Sequence, residues 1–293
     1  LPTNPTSTAF PEFIHMLSLE RLEDNLFRGQ NHDIGTKYVF GGQILAQALA
    51  AAQNTIESSR IAHSLHAYFL RAGNIQQPII YNVERTRDGK SFSLRRVTAI
   101  QHGQVIFFCT ASFQECEDGA EHQAKMPAVR PPEDIAPIQS LPPLPTQMHS
   151  WLNLSEQFEF RRARPSNELD SQQHPPSQHL WLRLNAPLGD SIALHQVLLT
   201  YASDFQLLDT AAFPHGINYH TPQVQMASLD HALWFHRPFR IDDWLLYALE
   251  SPSAQGARGL AQGQFFTQNG VLVANTAQEG LMRTINHAAP PKD

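Results

Sequence analysis

The chain has 293 residues, 42% of them apolar and only 16% charged, with a formal net charge of −6 and a pI near 6.2. Low charge and strand-like apolar runs point to a folded, sheet-rich protein of one large or two modest domains. The acidic balance argues against bulk binding to nucleic acid or an anionic membrane, leaving room only for a local basic patch. Two cysteines, Cys109 and Cys116, make neither a disulfide framework nor a zinc signature, so a reducing cytoplasm is expected, and no run approaches the roughly 18 apolar residues of a membrane span.

The first residues, LPTNPTSTAFPEF, lack the basic stretch and apolar core of a secretory signal, and the missing initiator Met suggests trimming; the last, HAAPPKD, are not a peroxisomal Ser-Lys-Leu. GGQILAQALAAAQNTI, Gly41 to Ile56, reads as a helix. FGGQ puts two glycines at its start, where unpaired N–H groups and the positive dipole end suit a carbonyl or an anion; simple helix–sheet closeness explains them equally well.

From Ser64 the pattern alternates like strands, broken by the turn signals Asp88-Gly89 and His102-Gly103. His63 and His66 form HxxH without further ligands nearby, so no metal and no cofactor is expected. Arg85, Arg87, Lys90, Arg95 and Arg96 gather on a hairpin; such charges either meet phosphates or solvate an edge, and the second is favoured. Met126 to Gln147 is Pro-rich and cannot hold a ladder, which predicts a surface linker, and Arg164 to Gln178 reads as a loop.

GDSIA, Gly189 to Ala193, resembles an esterase motif, but Pro187-Leu188-Gly189 separates it from the preceding strand, so Asp190 or Ser191 is expected to cap a helix instead. That helix is predicted over Asp190 to Leu208, with Leu194, Val197, Leu198, Tyr201, Phe205 and Leu208 on one stripe. Asp204 falls in the middle of the stripe. A carboxylate there is either a base with a raised pKa or a helix-end Asp tied to backbone, and Asp209 is a weaker rival.

MASLDHALWFHRP, Met226 to Pro238, contains the residue types of a serine hydrolase, yet in a continuous strand Ser228 and Asp230 share a face and His231 points away. A local triad is therefore not expected, and His231 and His236 read as structural. In the last strand Leu272, Ala274, Thr276, Gln278, Gly280 and Met282 share a small, mostly apolar face, on which Gln278 needs partners, from backbone or from a site.

Two segments repeat. Without gaps, the stretch from Ser64 lies on the stretch from Asp230 at an offset of 166, pairing Phe69 with Phe235, Arg71 with Arg237, Tyr81 with Tyr247, Leu94 with Leu260 and Thr110 with Thr276. Each half reads as one helix followed by an antiparallel sheet, and a sheet wrapped round a central helix would satisfy both apolar faces. The expected division is 1–118 for the first half, 119–150 for the linker and 151–293 for the second.

LFRGQNHDIGTKYVFGGQILAQAL, HSLHAYFLRAGN, SLDHALWFHRPF and GVLVANTAQEGLMR, in this order, closely resemble the acyl-CoA thioesterase II family of double-hotdog thioesterases, over most of the chain from about Leu17 to Arg283. The resemblance implies an α+β fold of two tandem hotdog halves. It also implies hydrolysis of acyl-CoA, as substrate, to a fatty acid and CoA. The family's catalytic Asp falls on Asp204, its hydroxyl on Ser228, where close relatives often have Thr, and its Gln on Gln278. Asp204 would accept a proton from the attacking water, Ser228 and Gln278 would hold that water and the carboxylate, and the Gly41 N–H would polarise the carbonyl. The 166 offset pairs Gln278 with Ser112, and aligning the helix starts pairs Asp204 with Leu49 or its neighbours, so one catalytic set per chain is expected. By analogy a homo-oligomer is expected. Two other readings stay open: an enoyl-thioester hydratase using Asp230 with a histidine, and a non-catalytic acyl-CoA-binding protein.

Overall fold

A computed structural model describes residues 9–57, 59–138, 157–163, 174–219 and 221–285. Helix α1 (Ala9–Leu17) leads into the short hairpin β1 (Glu20–Glu23) and β2 (Leu26–Gly29). Helix α2 (Gly41–Gln53) follows, then β3 (Arg60–Phe69), β4 (Ile79–Asp88), β5 (Phe92–Gln101) and β6 (Gln104–Glu115). The second half repeats the plan with β7 (Phe158–Arg162), β8 (Ser177–Leu184), α3 (Ile192–Ala202), a short α4 (Leu207–Ala212), then β9 (Val224–Ser228), β10 (Asp230–Phe235), β11 (Leu245–Gln255), β12 (Arg258–Thr267) and β13 (Leu272–Thr284). Two strands thus precede each helix as well as following it. All are antiparallel and join in one sheet, β1-β2-β4-β5-β6-β3-β10-β13-β12-β11-β8-β7, with β9 also on β13.

The order reads the same from either end, and the halves meet at β3 and β10. There His66 opposes Ala232, flanked by Ser64 with Trp234 and Tyr68 with Asp230. His66 and Ala232 differ by 166, so a local twofold passes through this pair, as a duplication at that offset requires. Even the bulges repeat: one at Arg85/Arg87 on β4 and one at Glu250/Ser253 on β11. The offset does not hold to the end. Arg95 opposes Ala111, whereas its equivalent Ala261 opposes Gln278. The β12–β13 turn carries one residue more than the His102-Gly103 turn, so from β13 onward the offset is 167, and the equivalent of Gln278 is Ala111, not Ser112.

Helices α2 and α3 pack against each other inside the wrapped sheet, which is why α2 is buried nearly all round and even Gln43 and Gln47 lie in the interior. Gln47 is satisfied by donating to the carbonyls of Met16 and Gln30 at 2.8 Å and accepting from the Tyr81 hydroxyl at 2.7 Å. The second helix is shorter than its apolar stripe predicts. It stops at Ala202, Ser203 is its C-cap, and Gln206 in the left-handed region (φ 64°) turns the chain into α4. The stripe stays apolar across the break because α4 faces the same core through Leu207, Leu208 and Ala211.

From Gly119 onward the expected linker is partly visible: residues 119–138 form no strand, and one 3₁₀ turn at Pro132–Asp134 rests on the outer face of the second half. Trp181 Nε1 donates to the Arg130 carbonyl at 2.9 Å, and Ile135 packs with Trp181, Trp244 and Phe266. Residues 139–150, and 164–173 of the expected loop, lie outside the described residues; Ser177 and Gln178, read as loop, begin β8.

Candidate active site

The turn after α3 presents Asp204 to the N-terminus of α2. Two of the first-turn residues there, Gly41 and Gly42, make this approach possible. A Cβ on Gly41 would lie 2.7 Å from Asp204 Oδ2, and one on Gly42 would lie 2.3 Å from the Tyr201 carbonyl oxygen. The first N–H groups of a helix have no partner within it and carry its positive partial charge. The Gly42 N–H and the Gln278 side-chain amide lie close to the Asp204 carboxylate and favour its ionised form, but burial outweighs them and pushes this carboxyl up to about 6. Oδ1 is buried and accepts no hydrogen bond from any described group.

Gln278 sits on β13, 1% exposed. Its Nε2 donates to Ser228 Oγ at 2.7 Å, and its Oε1 lies 2.6 Å from His231 Nδ1. That Ser228 and His231 reach the same side chain contradicts simple alternation along Met226–Pro238. The reason is a break at Leu229. Ser228 opposes Gly280 on β13 and Ala232 opposes Ala277, so three residues, 229–231, stand against two, 278 and 279. This bulge turns Ser228 onto the face of His231 and leaves Asp230 on the other side, where its carboxylate accepts the Glu279 N–H at 2.7 Å. Asp230 and His231 therefore do not form the acid–base pair of the hydratase reading. Nor is there a triad, because Gln278 stands between Ser228 and His231.

Asp204, Ser228 and Gln278 are thus brought together, and Gly41 abuts the carboxylate. Asp209, the rival, accepts from Gln206 Nε2 at 2.8 Å and lies near the buried Arg162 guanidinium. Ser191 caps α3, its hydroxyl accepting from the Leu194 N–H at 3.3 Å, while Asp190 pairs with Arg240. His63 bonds Ser112, His66 packs edge-on against Trp234, and Arg95 is a buried structural residue held by Thr55 and Asp88. The first half holds no equivalent set. Ala62 matches Ser228 and Ala111 matches Gln278. Because α2 is two residues longer than α3, Asp204 falls on Gln53 counted from the N-caps or on Thr55 from the C-caps, not on Leu49.

Sequence reasoning flagged the two glycines of FGGQ but passed over Ser203, Tyr247 and the contact of His231. Tyr247 donates to the Ser203 carbonyl and meets the Thr276 hydroxyl, both at 2.8 Å, and its ring leaves no space for a side chain at Gly263. The only signal in the sequence was polar character at buried positions, which does not name a partner.

Comparison with known proteins identifies the family. The family model described as "Acyl-CoA thioesterase" matches residues 152–281, and that described as "Acyl-CoA thioesterase N-terminal domain" matches residues 28–114. Acyl-CoA thioesterase 2 of Haemophilus influenzae is 44% identical over 275 residues, spanning 92% of this chain and 96% of its own length. The crystal structure of an acyl-CoA thioesterase II, TesB2, from Mycobacterium marinum is 42% identical, covers 92% of this chain and 97% of its own, and superposes with a TM-score of 0.77. A hot dog protein of unknown function from Alicyclobacillus acidocaldarius, 21% identical, with a TM-score of 0.76, covers 98% of this chain and 100% of its own, and shares the fold. The chain belongs to the acyl-CoA thioesterase family, built as a double hotdog.

Proposed function

We propose that the protein hydrolyses acyl-CoA to a free fatty acid and CoA by direct attack of water, with Asp204 as general base. The observation that carries this reading is the Asp204 carboxyl set against the first turn of α2, close to Gln278, which itself donates to Ser228 Oγ; burial raises this carboxyl to about 6, a value suited to a general base. Ser228 and Gln278 orient the water: Gln278 already donates to Ser228 Oγ, which leaves the Ser228 hydrogen to point outward. The Gly41 N–H, in the first turn of α2 beside Asp204, polarises the thioester carbonyl as negative charge develops on its oxygen. A thiolate leaves readily, so no strong general acid is required. The second half supplies the catalytic residues, and the first supplies the helix N-terminus and binding surface. The boundaries 1–118, 119–150 and 151–293 describe this division.

We place the enzyme in fatty acid metabolism and, by analogy with other hotdog proteins, read it as a homo-oligomer. The unpaired Cys109 and Cys116 support a cytoplasmic location; among the described residues no helix is long and apolar enough to cross a membrane. The test is release of free CoA thiol from a panel of acyl-CoAs of graded chain length. Wild-type protein should release thiol, and Asp204→Ala should not while keeping its thermal transition. Near-wild-type turnover by that variant, or tight acyl-CoA binding without hydrolysis by the wild type, overturns the reading.

A further inference from the structure

A glutamine amide has two ends of similar shape and opposite function. At Gln278 the end facing Asp204 must be the NH₂ group, because a carbonyl oxygen turned toward an ionised carboxylate meets like charge with like. Nothing in Gln278 itself enforces that choice. Its other end faces the buried ring of His231, which is 1% exposed and lies 2.6 Å away through Nδ1. Behind the ring, Nε2 lies 3.0 Å from the hydroxyl of Ser203, which has no solvent exposure.

We propose that His231 is a positioning residue for catalysis, holding its hydrogen on Nδ1 and donating it to Gln278 Oε1, so that the amide presents NH₂ to Ser228 and Asp204.

The hydrogen inventory decides between the two tautomers. Burial pushes His231 down to about 4, so over the neutral range the ring carries a single hydrogen. With that hydrogen on Nδ1, each contact along the line from Ser203 through His231 to Gln278 has one donor and one acceptor, the Ser203 hydrogen turning from the Thr200 carbonyl to the ring. Ser203 donates to Nε2, Nδ1–H donates to Oε1, and the Gln278 NH₂ donates to Ser228 and to the carboxylate. With it on Nε2, the ring donates to Ser203, whose own hydrogen turns to the Thr200 carbonyl 2.9 Å away. Nδ1 is then a bare acceptor, so the amide must rotate to offer it NH₂, and its oxygen faces Asp204. The first arrangement fits an ionised base and the second a protonated one. Ser203 adjoins Asp204 in sequence and its carbonyl is held by Tyr247, so the chain Ser203–His231–Gln278 starts and ends at the base.

This inference rests on the catalytic reading of Gln278, and the experiment keeps the two apart. Ring ¹⁵N chemical shifts of the wild-type protein at pH 7 should show His231 as the Nδ1–H tautomer; an Nε2–H tautomer or an imidazolium overturns the proposal without any assay of turnover. His231→Leu should lower kcat about 10- to 100-fold with KM little changed, the order of loss expected when a reacting group shifts by up to about 1 Å. His231→Asn places an NH₂ near the position of Nδ1 and should restore most of the kcat that His231→Leu loses. Equal losses in both folded variants, or a rise in KM alone, overturn the proposal. If His231→Leu does not fold, the tautomer and the Asn variant still decide it. If the tautomer is as stated but Gln278→Ala retains full turnover, the catalytic reading of Gln278 fails instead.

Discussion

Replacing Gly41 by Ala adds one methyl group at the point where α2 touches the Asp204 carboxylate. In place, that carbon would stand 2.7 Å from Asp204 Oδ2 and 3.2 Å from two ring carbons of Phe69. Ordinary contact begins near 3.5 Å, so the carboxylate must withdraw by roughly 0.5–1 Å. Overpacking of this kind costs about 1–3 kcal/mol, offset by about 1 kcal/mol because Ala favours a helix over Gly. The net loss, about 0–2 kcal/mol, lowers Tm by no more than about 8 °C for a chain of this size. Catalysis is far more sensitive: a 1 Å misplacement of a reacting group costs on the order of 10²-fold. Gly41→Ala should therefore fold, bind acyl-CoA and lose about 10- to 100-fold in kcat, read as thiol release alongside a thermal melt. Gly42→Ala serves as the contrast. Its methyl would meet the Tyr201 carbonyl at 2.3 Å and the Phe40 ring at 2.4 Å, so its main loss should be in Tm. A kcat for Gly41→Ala within twofold of wild type would refute the placement of Asp204 against α2.

With the Asp204 carboxyl at about 6, kcat/KM should rise through pH 6 and level off above it, since the base works only when ionised; a flat profile from pH 5 to 8 contradicts the assignment. The same raised value means the folded protein binds the proton more tightly than the unfolded chain, so stability declines as pH rises from about 4 to 6. Asp204→Asn should accordingly gain on the order of 1–2 kcal/mol near pH 7, discounted for the partial exposure of the residue, and lose the gain toward pH 4 in paired melts. Ser228→Ala leaves Gln278 Nε2 without its 2.7 Å acceptor and should reduce kcat about 10- to 100-fold; an acyl group trapped on Ser228 of the wild type by mass spectrometry would replace the water mechanism with a nucleophilic serine. Gly263→Ala, whose methyl would lie 2.2 Å from the Tyr247 ring, should destabilise by at least about 1–3 kcal/mol, and an unchanged Tm would show that the ring can move aside.

The sequence by itself determined a great deal here, because duplication and apolar periodicity are properties of the chain alone. The offset of 166 reappears as the twofold through His66 and Ala232, and the polar intruders Asp204 and Gln278 lie close to one another in the candidate site. What only the tertiary structure decided turns on single-residue events that periodicity cannot register. One extra residue in the β12–β13 turn moves the match of Gln278 from Ser112 to Ala111. The bulge at Leu229 brings Ser228 and His231 to one face, and the left-handed Gln206 ends the turn that carries Asp204 off its helix. Each changes direction without changing composition. The neighbours of Asp204 come from α2, more than 150 residues away in the chain, and from β13, and only the sheet wrapped round both helices brings those distant segments together.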